Sequence, residues 1–285
     1  MNELKSKKII VTGGSLGIGF AVAKACAMQG AEVIIVARNQ NDLNSSLKKI
    51  CSISDKNHLA YSLDVSDLKA VNVFAEWIKD KNLDIDGIVN CAGIYGPIGK
   101  TTNVNMEDFT KAININLLGT VYMCSAIAPL LKSKSNKKIV NFSGGGAASP
   151  FPNYSAYASS KAAIVRFTEN FSIELKDNKF DINSVAPGFV ITRLHDQTIS
   201  TGSSVVGSNF YDNTKKQMKE GGIPPEKAAD LTVFLLSDSS NGINGKFISA
   251  PWDPWKEDFF QEKLKSDNDF ATLRRIDEKF FTNKS

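Results

Sequence analysis

The chain has 285 residues, 42% hydrophobic and 22% charged, enough for one substantial core in one globular domain. Its 34 basic and 30 acidic residues leave a net charge of +4 with no basic block or aromatic-interleaved stripe, which argues against a nucleic-acid partner. The four scattered cysteines form no CxxC pair and only two histidines are present, so neither a metal site nor a disulfide framework is expected. No N-terminal leader and no apolar run of about 18 residues is apparent, so a cytoplasmic protein without a membrane span is expected.

Short β-branched runs recur along the chain: KKIIVTG, AEVIIVAR, HLAYSLDV, DGIVNCAG, KKIVNFSG, FDINSVAPG and GKFISA. Helical stretches separate them, which is the rhythm of βαβ crossovers. Near-continuous apolar strands predict a doubly wound, Rossmann-like parallel sheet of about seven strands with helices on both faces. Residues 1–250 read as one such domain and 251–285 as a C-terminal tail.

The first run ends in TGGSLGIG, where Gly13, Gly17 and Gly19 let the backbone turn sharply and approach a pyrophosphate. The following helix N-terminus offers unpaired N–H groups and a partial positive charge. The second run ends in Ala37 and Arg38, where an NAD-binding chain carries an acidic residue for the ribose hydroxyls. A cation without a carboxylate suits a 2′-phosphate, so NADP(H) is favoured over NAD(H). His58 opens the third run and is expected to be exposed.

Further along, Tyr157 and Lys161 stand one helical turn apart on a shared face. An ammonium near a phenol lowers the phenol's pKa, and such a tyrosine can protonate a carbonyl oxygen or take the proton back. The stretch 193–222 is rich in Ser, Gly and Asn and reads as a mobile lid in which His195 faces solvent. Trp252 and Trp255 open the tail, and Phe260, Leu264, Phe270, Leu273, Ile276 and Phe280 recur at roughly helical spacing. A largely helical tail packed on the domain or on a neighbouring subunit is expected.

TGGSLGIG, Asp64-Val65, NCAG at 90–93, INLLG around Asn116, YASSK at 157–161 and PGFVIT at 187–192 together resemble the short-chain dehydrogenase/reductase family. The motifs run in order over about residues 7–250. The resemblance implies that Ser15, Leu16 and Ile18 join Gly13, Gly17 and Gly19 around the cofactor, and that Asp64 and Val65 border the adenine. It implies that Asn90, Ala92 and Gly93 line the cofactor cleft and that Pro187, Gly188, Val190 and Thr192 contact the nicotinamide end. Tyr157 would be the acid and base, Lys161 would also hold the nicotinamide ribose, and Asn116 would hold a relay water. The family's usual serine falls on Gly144. Ser143 could replace it only if the strand end bends, because neighbouring strand residues face opposite ways; main-chain N–H groups of Gly144, Gly145 and Gly146 are the alternative. The implied activity is interconversion of a carbonyl and a secondary alcohol on a small molecule by an NADP(H)-dependent enzyme. The competing reading is a cofactor-binding scaffold or redox sensor without turnover. A homo-oligomer, tetramer or dimer, is expected through the apolar helices near 106–131 and 157–175, which pair between subunits in the relatives.

Overall fold

The computed structural model describes residues 2–275. Seven strands, β1 (Lys8–Thr12), β2 (Glu32–Ala37), β3 (Leu59–Ser62), β4 (Gly87–Asn90), β5 (Lys137–Phe142), β6 (Phe180–Ala186) and β7 (Phe247–Ser249), form one sheet. It is parallel throughout, in the order β3-β2-β1-β4-β5-β6-β7. The helices are α1 (Gly17–Met28), α2 (Gln40–Cys51), α3 (Leu68–Asp80), α4 (Met106–Ile113), α5 (Gly119–Ile127) and α6 (Ser155–Glu174), then α7 (Arg193–Thr201), α8 (Ser203–Val206), α9 (Ser208–Lys219), α10 (Pro225–Leu236) and α11 (Asp258–Ser266).

Side chains alternate along each strand, and both faces are apolar, so two cores form. Ile9, Val11, Val33, Ile35, Val89, Val140 and Val185 pack with α1, α2 and α10 on one face. Ile10, Ile34, Val36, Ile88, Ile139 and Ile182 pack with α3 and α5 on the other. Each buried Val or Ile contributes about 1.5–3 kcal/mol, so the near-continuous apolar runs hold both helical layers.

The order reverses direction at β1. The chain runs outward through β2 and β3, then returns to lay β4 on the other side, which opens a crevice beyond the carboxyl ends of β1 and β4. Thr12, at the end of β1, ties the two sides together: its Oγ1 accepts from the Cys91 and Ala92 N–H groups at 3.0 and 3.2 Å.

Three regions differ from the sequence reading. His58 is 5% exposed, not solvent-facing, because its Nδ1 accepts from the Val33 N–H at 3.2 Å across the β2–β3 pair, and burial lowers its pKa. The 193–222 stretch folds as α7, α8 and α9, with the breaks at Gly202 (φ 86°) and Gly207 (φ 96°), backbone angles that glycine adopts without strain. The helical run Met106–Leu130 is long and apolar enough, by length and composition, to cross a bilayer. Met123, Cys124 and Ile127 from it are buried against the sheet, which accounts for that composition.

In the C-terminal stretch, Trp255 is buried and its Nε1 donates to the Ala250 carbonyl at 3.2 Å, while Trp252 is 70% exposed. Phe260 and Leu264 of α11 join the core with α1 and α10. Residues 267–275 continue without a helix and cover the β7 edge, where the Phe247 N–H donates to the Ala271 carbonyl at 2.7 Å. Arg274 then pairs with Glu169 of α6 at 2.6 Å. Ile276 and Phe280 lie outside the described residues.

Candidate active site

The glycine turn leaves β1 and enters α1 directly. Gly13 (φ 65°) and Gly17 (φ 55°) adopt left-handed angles, and a Cβ on Gly13 would sit 3.0 Å from the Ala92 Cα across the crevice. A Cβ on Gly19 would collide with the Gly13 carbonyl. These contacts require bare backbone, so the turn can pass close to a ligand. Leu16, the residue preceding α1, makes no side-chain cap, and the first turn carries no acidic residue. The N–H groups there are open to an anion, in the manner a pyrophosphate requires. Ser15 is buried, its carbonyl accepting from Ser46 Oγ at 2.6 Å, and Ile18 packs against the core.

At the end of β2 the Arg38 guanidinium is 56% exposed and lies 3.8 Å from the Asp64 carboxylate. Such an exposed pair is worth about 0–1 kcal/mol, so it holds the guanidinium loosely. The other Asp64 oxygen accepts from the Ser66 N–H and Oγ at 2.9 and 2.7 Å. Val65 packs on α5, where a Cβ on Gly119 would come within 2.6 Å of it. The Asn90 side chain turns into the sheet, donating to Asn141 Oδ1 at 2.9 Å and to Cys124 Sγ at 3.2 Å, so only its backbone faces the crevice end of β4.

Gly93, Asn116 and Lys161 converge beyond β4. A Cβ on Gly93 would stand 3.2 Å from Asn116 Oδ1 and 3.5 Å from Lys161 Nζ. Asn116 sits in a π-helical turn (Asn114–Leu118) between α4 and α5, a local widening that is common at functional sites. Its amide accepts from the Ile94 N–H at 2.8 Å and donates to the Ile94 carbonyl and Ser160 Oγ at 2.9 and 3.0 Å. Lys161 Nζ donates to the Phe142 carbonyl at 2.8 Å and stands 5.6 Å from the Tyr157 ring centre.

The expected lowering of the Tyr157 pKa is not the net outcome. Removal of water around the phenol, then the nearby Cys91 thiol, pushes it up to about 12. Burial pulls Lys161 down to about 8, with Cys91 opposing. At neutral pH both groups therefore keep their protons, which is the form required of a donor in carbonyl reduction.

Ser143 is buried, and its Oγ donates to the Lys161 carbonyl at 2.9 Å, so its hydroxyl braces α6 from the inner side of the strand. Gly144 is fully extended (φ 179°), and a Cβ there would lie 2.8 Å from the Tyr157 hydroxyl oxygen. Gly145–Ala147 form a short 3-10 turn.

The loop after β6 closes the other end. Pro187 follows β6, and Gly188 (φ 78°) turns tightly against Ile223 and Pro251. Val190 is buried, and the Thr192 methyl lies 3.3 Å from the position of a Cβ on Gly17, so this loop meets the glycine turn across the crevice. Thr192 starts α7 with a capping box: its Oγ1 accepts from the Leu194 N–H, and its own N–H donates to His195 Nδ1, each at 3.4 Å.

His195 is 7% exposed, contrary to its expected solvent setting, because α7 folds over the rim and burial lowers its pKa to about 4. Tyr154 Oη and Thr198 Oγ1 share a hydrogen bond of 2.8 Å, and Gln197 donates to the Gly96 carbonyl at 2.7 Å, so α7 is tied down over Tyr95 and Tyr157. Beside them Phe151, Asn153, Val206 and Phe210 line a cavity of about 330 Å³ without a charged side chain in its wall. Sequence reasoning missed Tyr95 and Ser160. For His195 the sequence carried no usable signal, because the capping-box signature has Glu or Gln, not His, three residues after the cap. Among the described residues no group of His, Cys, Asp or Glu could hold a metal.

The family profile described as short chain dehydrogenase matches residues 7–202. The chain is 34% identical to the 3-oxoacyl-(acyl-carrier-protein) reductase of Chlamydia trachomatis, over 87% of this chain and 96% of the relative. It is 29% identical to the NADP-dependent 3-hydroxy acid dehydrogenase of Schizosaccharomyces pombe, over 88% of this chain and 95% of the relative. A solved short chain dehydrogenase of Shigella flexneri 2a, complexed with NADP, superposes with a TM-score of 0.77 at 24% identity, over 88% of this chain and 99% of that one.

Proposed function

The chain belongs to the short chain dehydrogenase family, and on that footing we propose that it is an NADP(H)-dependent oxidoreductase interconverting a carbonyl and a secondary alcohol on a small molecule, with Tyr157 as the acid and base. The observation that carries this reading is the convergence of Tyr157, Lys161 and Asn116 at the crevice beyond β1 and β4. The bare glycine turn and the uncapped start of α1 fit a dinucleotide pyrophosphate, held by Gly13, Gly17 and Gly19 with Ser15, Leu16 and Ile18 beside them. Asp64 and Val65 would border its adenine, Ala92, Gly93 and the backbone of Asn90 would line the cofactor cleft, and Pro187, Gly188, Val190 and Thr192 would line its nicotinamide side. When bound, the nicotinamide supplies or accepts a hydride at the substrate carbon.

The chain's own groups move the proton. In reduction Tyr157 Oη gives its proton to the carbonyl oxygen as the alcohol forms, and in oxidation it takes that proton back. Lys161 stabilises the resulting phenolate and orients the ribose. Asn116 Oδ1 and Nδ2 already hold the Ile94 backbone, so its part is to hold the widened turn where a water can bridge to Lys161.

Arg38 supports the choice of NADP(H), as does the name of the yeast relative. Arg38→Ala is expected to weaken NADPH binding about 10-fold or more, by removal of a charge-assisted phosphate contact, while NADH binding changes little. Equal affinities for the two cofactors in the parent, unmoved by the substitution, would contradict the preference.

Tyr122, Ala126, Phe167 and Phe171 are only partly buried on α5 and α6, which supports a homo-oligomer formed through those helices. A cytoplasmic setting is part of the same reading. The competing function, a cofactor-binding scaffold or redox sensor without turnover, is favoured by one observation only, the glycine at 144.

A further inference from the structure

As hydride reaches a carbonyl carbon, negative charge collects on the oxygen, and fixed donors aimed at that oxygen lower the barrier most. Tyr157 supplies one donor. The chain beside it carries glycines at 144–146, and the Ser143 hydroxyl is committed to the Lys161 carbonyl. Any second side-chain donor therefore comes from another element.

Tyr95 faces Tyr157 edge-on, with ring centres 4.9 Å apart and planes at 88°. Its Oη lies 3.3 Å from His195 Nε2, and the His195 ring packs at 4.0 Å on Phe189 of the loop after β6. The Tyr95 ring thus stands against the catalytic phenol while its hydroxyl meets His195, which packs on the nicotinamide-side loop. His195 decides which way that hydroxyl points. Its pKa near 4 makes it neutral at pH 7, and its Nδ1 accepts from the Thr192 N–H, so its single proton is on Nε2. Nε2–H then donates to Tyr95 Oη, and the Tyr95 proton is left to point at a third group. Burial, reinforced by Tyr157 and Tyr154, raises the Tyr95 pKa and keeps that proton in place.

We infer that Tyr95, oriented by His195, is the second hydrogen-bond donor to the substrate oxygen and a catalytic residue in its own right. The inference rests on the reading of Tyr157 as acid and base. It assigns to a tyrosine after β4 the part that no side chain at 144 can play.

The test compares the parent with Tyr95→Phe, His195→Phe and Tyr157→Phe, on whichever member of a panel of aldehydes and ketones the parent reduces fastest with NADPH. Thermal unfolding and the NADPH dissociation constant, read by fluorescence, serve as the second readout. Tyr95→Phe is expected to lower kcat about 10²-fold with KM and NADPH affinity changed less than about threefold. His195→Phe keeps the ring packing but loses both the donor to Tyr95 and the acceptor of the Thr192 N–H, so kcat is expected to fall about 10-fold with NADPH affinity changed less than about threefold, whereas a larger loss of NADPH affinity would mark damage to the 187–192 loop instead. If Tyr95→Phe matches the parent while Tyr157→Phe is inactive, the role of Tyr95 is overturned and the wider reading stands. If Tyr157→Phe is also as active as the parent, or the parent reduces nothing in the panel, both are overturned. Should Tyr95→Phe fail to fold, His195→Phe decides alone, and parental kcat in it overturns the inference.

Discussion

Tyr157→Phe is expected to lower turnover about 10³-fold while leaving NADPH affinity within a factor of about two. The ring stays, so its packing against Tyr95 and Phe151 and the position of α6 are preserved. The one group removed is the hydroxyl, and no neighbour can take over its proton transfer: burial raises the Tyr95 pKa, so Tyr95 hydrogen-bonds without giving its proton up. Lys161 Nζ points to the Phe142 carbonyl, Ser160 Oγ donates to the Tyr157 carbonyl at 2.7 Å, and the Cys91 thiol is pushed up to about 12 by burial. Steady-state turnover alongside fluorescence titration with NADPH checks this. Undiminished activity in the variant would remove Tyr157 from the mechanism.

Gly144→Ser, although it brings back a hydroxyl, is expected to lose about 10²-fold in kcat rather than to gain. The reason is the Cβ itself, which would lie 2.8 Å from Tyr157 Oη and 3.6 Å from Cζ. A real Cβ does not tolerate that approach, and the phenol cannot simply swing away because Tyr95 and Phe151 flank its ring. The phenol must shift by several tenths of an ångström or more, and displacement on that scale breaks the alignment on which proton transfer depends. Gly144→Ala should lose about as much, since it adds the same carbon without the hydroxyl. A gain in the serine variant together with a loss in the alanine variant would mean that the site lacks a donor, and would count against the part assigned to Tyr95.

Much of this arrangement was legible because it is local in sequence. The alternation of Ile9, Ile10 and Val11, each buried but toward opposite faces, signals a strand covered on both sides, and the bare turn after Thr12 signals the crevice. The spacing of Tyr157 and Lys161 places them on one helical face. The inward aim of Ser143 follows from the same alternation, since it is the neighbour of Gly144 on one strand end.

What escaped depends on chain segments that meet only in the fold. The Tyr95–His195 contact joins residues 100 apart, and nothing in either segment announces the other. His58 and His195 look like solvent residues because a histidine's burial depends on partners elsewhere, here the Val33 backbone and Tyr95. The direction of the Tyr157 shift escaped for the same reason: the Tyr–Lys spacing conveys a favourable charge but not the desolvation that outweighs it. The helices over 193–222 are polar in composition. The Thr192 capping box and the breaks at Gly202 and Gly207 define them, and α8 adds Val206 to the aromatic cluster around Tyr95 and Tyr154.

The most direct test of hydride-transfer chemistry at this site is the fate of a label. The parent protein is incubated with NADPH deuterated at C4 of the nicotinamide, on the transferring face, and with the aldehyde or ketone it reduces best, and the product is analysed by mass spectrometry and NMR. The account predicts one deuterium on the carbinol carbon of the alcohol, in step with the NADPH consumed, and almost none when Tyr157 is Phe. Tight NADPH binding with no deuterium in any alcohol, whichever C4 face carries the label, would contradict it and leave a protein that holds the cofactor without using it.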